Sequence, residues 1–270
     1  MTMTNPPPSP MLPTVDFCGL RVTRMTIGAN PFGGFSHQNE QRDEAMRTFH
    51  SLPKILETWE RAKAAGINTF VTNNETPHVI EAVKAYLGGG GTLQWIAQIN
   101  GRNAPDMLMA IDDAVKTGCK AIYFHGIRTE KLFEARDADT LRTWCEHARS
   151  QGVPVGVAAH DPRAHLWVNS LDLVDFHAVC FFNCGSLHSG KGERFQLSDV
   201  AAAIEAIRTI KKPCIGYKIM GAGRIDARMA FEHAFTHIKP TDVVNVGMYR
   251  GDKDGMVEEN AAMVRQILGT

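Results

Sequence analysis

Three ionisable side chains carry the chemical interest of this 270-residue chain: His125, His160 and Lys218. Each closes an apolar run, AIYFH, VPVGVAAH and PCIGYK. An imidazole acts as acid or base near neutral pH. A lysine withdrawn from water acts as base, Schiff-base nucleophile or clamp for an anion. Two histidines ending neighbouring strands suit proton transfer, with Lys218 stabilising an enolate or oxyanion. They also suit a divalent-metal site with Glu75 or Asp161 as a third ligand, although no HxH or HExxH spacing is present.

Neutral groups surround these three in the pattern. Asn30, Asn73, Asn74, Gln98, Asn100 and Asn183 supply amides at or just after strand ends, a set that suits a polyhydroxylated, sugar-like ligand. Half of them are expected to tie loops together instead. Asn30, Asn73, Gln98 and Asn183, with His37 and Tyr249, form the candidate substrate contacts. His37 and His188 sit in loops long enough to cover a site. In GAGR, Gly221, Gly223 and Arg224 precede a helix, the arrangement of an anion site. The GGGG at 88–91 follows a helix and lacks a Lys-Ser/Thr, so it reads as a helix stop.

Eight apolar runs position these groups, ending in Asn30, Asn73, Gln98, His125, His160, Asn183, Lys218 and Tyr249, with helix-like stretches between them. That order predicts a (β/α)8 TIM barrel, whose site lies at the carboxyl ends of its strands. Residues 15–29 read as an N-terminal β-hairpin followed by the first barrel strand. Helices are expected over 54–65, 77–87, 106–118, 137–152, 163–170, 200–212, 225–237 and 255–268. Alternation turns Ala121, Tyr123 and His125 inward on one strand, and Gly156, Ala158 and His160 inward on the next. The same rule with Lys218 inward puts Cys214 and Gly216 inward, and Tyr217 and Ile219 outward.

Three stretches resemble the aldo-keto reductase superfamily across most of residues 15–268. GLRVTRMTIGANPFGG is similar to its opening hairpin and first strand, AIYFHG ends in a histidine as its catalytic strand does, and DVVNVGMYRGDKDGMVEEN is similar to its terminal strand and adenosine-phosphate helix. NPFGGFSHQ, LQWIAQ, IYFHG, CFFN and KIMGAGR are similar to a branch of that superfamily lacking most of the catalytic tetrad. The resemblance implies a barrel of that type and an Asp, Tyr, Lys and His tetrad working with NADPH. Here the Asp position falls on Val71 or Thr72, the Tyr position near Thr76 or Pro77, and the Lys position on Gln98; His125 remains.

Lys+Arg and Asp+Glu are both 29, so no net field points to nucleic acid or an anionic membrane. No apolar stretch approaches the ~20 residues of a membrane span. The six cysteines show no CxxC pair and read as reduced core residues, with Cys184 nearest the rim. Residues 1–14 read as a disordered, Pro-rich leader and 15–270 as a single cytoplasmic domain; a homo-oligomer is compatible with the pattern. The leading expectation is an enzyme acting on a small carbonyl- or sugar-like metabolite by proton transfer, of lyase, isomerase or hydrolase type. The alternatives are an NADP-dependent oxidoreductase with an altered proton donor and a non-catalytic binding barrel. A divalent metal stays open as cofactor, and the missing tetrad disfavours NADP.

Overall fold

The computed structural model describes residues 10–101, 104–184 and 195–270. Two short strands, β1 (Thr14–Phe17) and β2 (Leu20–Thr23), pair antiparallel across a Cys18-Gly19 turn with φ of 55° and 84°. Positive φ at both central residues is the geometry of a two-residue hairpin whose twist matches its strands. Residues 10–13 also lie on the barrel: Leu12 is buried, and its N–H donates to Gly66 O at 2.9 Å. Residues 10–14, within the stretch expected to be a leader, thus pack against the barrel or pair in the hairpin.

The chain continues through β3 (Met25–Gly28), α1 (Asn30–Gly33), α2 (Glu40–Phe49), α3 (Leu52–Ala64), β4 (Thr69–Asn73) and α4 (Pro77–Gly88). Then come β5 (Gln94–Ile99), α5 (Ala104–Thr117), β6 (Ala121–Phe124), α6 (Gly126–Ala135), α7 (Ala138–Ser150), β7 (Val155–Ala159), α8 (Pro162–Leu171) and β8 (Phe176–Cys180). The last elements are α9 (Ser198–Thr209), β9 (Cys214–Tyr217), α10 (Ala227–His237), β10 (Val243–Gly247) and α11 (Met256–Leu268). Strands β3 to β10 are parallel and close into one eight-stranded barrel, with β10 pairing to β3. This is the (β/α)8 architecture that the alternating pattern predicts. Helices α1, α2 and α6 are additions to it.

Side-chain direction follows strand alternation. Val71, Ile96, Ala121, Tyr123, Ala158, Phe176, Ala178, Ile215 and Val243 fill the interior. Phe70, Trp95, Ile122, Phe124, Val155, Val157, Val179 and Val244 pack outward on the helices. The hairpin plugs the amino-terminal end, where Phe17 meets Phe176 edge-on at 5.0 Å. Gly156 makes room for this plug: a Cβ there would come within 2.6 Å of the Phe176 ring. The inward sets of β6 and β7 are those expected from sequence.

Strand β9 is the exception. Ile215 and Tyr217 belong to the interior and Cys214 packs outward, the reverse of the expected register. The expectation assumed that alternation runs unbroken to Lys218. It does not, because β9 ends at Tyr217 and Lys218 has a left-handed backbone, φ 55°. That turn brings Lys218 to the cavity from a position that an extended strand would aim at the helices.

Candidate active site

A cavity of about 310 Å³ opens at the carboxyl ends of the strands. Val71, Tyr123, Ala158, Tyr217 and Asn245 form its inner wall, and Asn30, His37, Asn73, Glu75, Gln98, His125, His160, Lys218, Gly223 and Tyr249 line it nearer the rim. Most candidates drawn from widely separated positions thus share one chamber.

His160 is the best-supported ionisable group. Its Nδ1 lies 3.3 Å from Glu130 Oε1, and its backbone N–H donates to the same oxygen at 2.5 Å. The Asp161 N–H reaches that oxygen too, at 3.1 Å. Burial alone would raise the Glu130 carboxyl, but the hydrogen bonds and charge of His160 hold it below the usual glutamate value. Accepting Nδ1–H fixes the tautomer and leaves Nε2 as the nitrogen available to a molecule in the cavity. Helix α6 supplies the dyad from both directions. Glu130 lies in it, and Gly126 at its start lets the His160 ring approach, since a Cβ would sit 3.1 Å from Cε1.

His125 is the N-cap of α6. Its Nδ1 accepts the Ile127 N–H at 3.2 Å, which places its proton on Nε2. The two imidazoles therefore present the same nitrogen, Nε2, in different roles, one as a lone pair and one as an N–H.

Two phenols sit at the inner wall. Tyr123 donates to Gln98 Oε1 at 3.1 Å, and Tyr217 donates to Ala159 O at 3.3 Å, with its ring centroid 6.2 Å from that of His160. Burial pushes both phenols above their ordinary value, Tyr217 furthest, so both stay neutral. Beside Tyr217, burial pushes the Cys180 thiol up to about 12. Asn245 accepts from Thr26 Oγ1 at 3.0 Å and turns its amide inward.

Several candidates are engaged in architecture. Asn73 Oδ1 accepts the N–H groups of Glu75 and Thr76 and so caps the turn into α4. Asn74 and Asn100 tie adjacent loops, with Asn100 N–H donating to Asn74 Oδ1 at 2.9 Å. Asn183 lies off the cavity wall, its N–H donating to Asp199 at 3.1 Å. Asp161 is spent on α8 as N-cap and on the Arg163 guanidinium. The Arg224 guanidinium donates to Gly221 O at 2.8 Å and His37 O at 3.0 Å, and Asp226 caps α10, so a carboxylate occupies that helix start. His188 lies outside the described residues.

Residues 34–39 run between α1 and α2 along the mouth of the barrel. Gln38 Nε2 donates to Ala222 O at 2.7 Å, Asn30 Nδ2 sits 3.5 Å from His37 Nε2, and Arg42 pairs with Asp252 over the Tyr249 ring. Among the described residues, no three His, Cys, Asp or Glu side chains gather closely enough to share a metal ion, so Glu75, His125 and His160 are not brought together as ligands.

No family model matches the chain, and no curated sequence matches it. Solved structures do. A Pseudomonas aeruginosa protein provisionally named an aldo-keto reductase aligns over 95% of this chain and 94% of its own, at TM-score 0.68 and 19% identity. A second structure so named, from the same organism, gives TM-score 0.69, 16% identity, and coverage of 96% and 98%. These likenesses, both below 25% identity, show the fold: a (β/α)8 barrel closed like those of the two proteins so named. Orotidine 5′-monophosphate decarboxylase from Methanocaldococcus jannaschii aligns more loosely, at TM-score 0.57, 13% identity, and coverage of 82% and 94%. The barrel is thus shared with proteins of differing chemistry.

The terminal segment of the barrel is where the sequence resemblance puts an adenosine phosphate, and its residues do not suit one. Helix α11 carries Glu258 and Glu259 in its first turn, after Asp252 and Asp254. The nearby cations are taken: Arg250 pairs with Glu57 and Asp254, Arg61 with Asp254 and Glu258, and Lys253 with Glu259. A phosphate would meet carboxylates at a helix start that otherwise favours anions. Among the described residues no helix is long and apolar enough to cross a membrane.

Proposed function

We propose that this barrel is an enzyme that moves a proton on a small polar carbonyl- or sugar-like metabolite, in a lyase, isomerase or hydrolase reaction. The Glu130–His160 pair on the cavity wall carries the reading. A carboxylate on Nδ1–H orients an imidazole and supports the charge it gains when Nε2 takes a proton. His160 is accordingly the base, and His125, with its proton on Nε2, is the acid. The carbon–hydrogen electron pair passes into an enolate whose oxygen Lys218 stabilises, and the proton returns from an imidazole to the product. The carboxylate of Glu130 on its ring makes His160 the principal group of the two. The carbonyl-reduction alternative is disfavoured by the carboxylates at the phosphate position, and a purely binding barrel has no use for the dyad.

The test is deuterium wash-in. Small aldehydes, ketones, sugars and hydroxy acids are incubated with protein in D2O and followed by NMR. The expected result is exchange at one carbon position, lost in His160→Ala with the circular dichroism unchanged. Exchange that persists undiminished in that variant removes His160 from the chemistry.

A further inference from the structure

Lys218 is held in the cavity at a cost and, among the described residues, has no counter-ion of its own there. A left-handed backbone at a non-glycine residue costs about 1–2 kcal/mol, and at φ 55° Lys218 adopts it. The turn reverses the direction that strand β9 would otherwise impose and brings the side chain to the chamber wall, half-buried. Among the described residues, no carboxylate and no hydrogen-bond acceptor lies in reach of Nζ; the Tyr217 ring is 5.9 Å from Nζ to centroid, and the buried Cys180 thiol is within electrostatic range. The other cations at the mouth are committed, Arg42 to Asp252 and Arg224 to two backbone carbonyls. A partly desolvated ammonium without a counter-ion is unfavourable until an anion arrives.

We propose that Lys218 receives a carboxylate of the substrate, so that the substrate class is a small 2-hydroxy- or 3-oxo-carboxylate, whose carbon next to the carboxylate carries a proton; this rests on the proton-transfer reading for what happens next. One uncommitted ammonium matches one monoanion. A phosphate dianion would call for further donors, and Arg224, in the loop that follows Lys218, is committed to two backbone carbonyls. A chamber of about 310 Å³ is of the size that holds a small-molecule ligand. Lys218 follows Tyr217 directly, and the Tyr217 and His160 rings are 6.2 Å apart between centroids. A carboxylate on Nζ thus leaves the adjacent carbon on the His160 side of the chamber. Loss of its proton moves further negative charge onto the carboxylate, so the ammonium binds the transition state more tightly than the ground state.

Calorimetric titration of the full chain tests this with lactate, glycerate and malonate, with lactamide as the uncharged counterpart of lactate, and with inorganic phosphate. The expected result is binding of a carboxylate about tenfold or more tighter than its amide. That binding should be lost in Lys218→Met and kept in Lys218→Arg. It should also survive in His160→Ala, so that failure of carboxylate recognition and failure of proton transfer are told apart. Lys218→Gly, which takes the left-handed turn without strain, is a second charge-free variant if the methionine form does not fold. Equal affinity for acid and amide overturns the proposal. So does unchanged binding in both charge-free variants, tighter binding of phosphate than of any carboxylate, or no saturation by any carboxylate at tens of millimolar (about 2 kcal/mol of binding at the 1 M standard state).

Discussion

One carboxylate oxygen, Glu130 Oε1, accepts from both the ring Nδ1–H and the backbone N–H of His160, at 3.3 and 2.5 Å. The loop after β7 and the imidazole it carries are therefore fixed by a single side chain from α6. Glu130→Gln keeps the shape but loses the charge. Wash-in should fall by about 10²- to 10⁴-fold, and the His160 15N signals should report a mixed tautomer. The Glu130 carboxyl is lowered in the fold, so its stabilisation is present above the ordinary value of 4.5 and is lost as pH falls through the folded value. The variant should show a flatter stability profile below pH 4.5, measured by thermal denaturation.

Tyr217 inside the barrel makes a different forecast from Tyr217 against the helices. Tyr217→Phe should lose one hydrogen bond, about 1 kcal/mol. Tyr217→Ala should open a cavity in the barrel and cost about 3–5 kcal/mol. Denaturant titration separates the two, and a negligible effect of the alanine variant would contradict the β9 register.

Acid should loosen the fold through a second histidine pair. His165 and His177 are buried between α8 and β8 with Nδ1 atoms 3.1 Å apart. Burial lowers His165 from 6.5 to about 4, and His177 also falls well below 6.5. The unfolded chain thus binds more protons in this window, and stability falls as pH drops from 6.5 toward 4. Each proton taken up contributes about 1.4 kcal/mol per pH unit. His177→Gln should be less stable at neutral pH yet show a shallower slope. An unchanged slope would exclude the pair as its source.

Arg224 ties residues 34–39 to the loop after β9. Arg224→Met should leave the barrel folded while exposing the segment around His37 and Gln38 to protease. Limited proteolysis with mass spectrometry checks this, and an unaltered cleavage pattern would show that Gln38 and Arg42 suffice.

NADPH should not quench the four tryptophans at micromolar concentration, because acidic residues occupy the phosphate position near α11. Saturable micromolar quenching would return carbonyl reduction to the front.

Strand positions were legible because a strand of a closed parallel barrel must be apolar at nearly every position and must end where solvent begins. Eight such runs, each followed by a helix, admit few architectures. Helix α6 was not legible. His125 is an unusual N-cap, and the helix stops at Arg136 in a left-handed turn with φ 56°, not at a glycine. Without α6, Glu130 had no place near the rim. Lys218 was placed in the cavity by the wrong route, since periodicity carries no sign of a left-handed residue other than glycine. The linear sequence by itself determined the barrel, the interior of β6 and β7, and the polar strand ends. Only the tertiary structure decided that Glu130 meets His160, that Tyr217 faces inward and that Lys218 has no counter-ion among the described residues. Those facts depend on distances between separate elements and on one backbone dihedral, neither of which leaves a period in the chain.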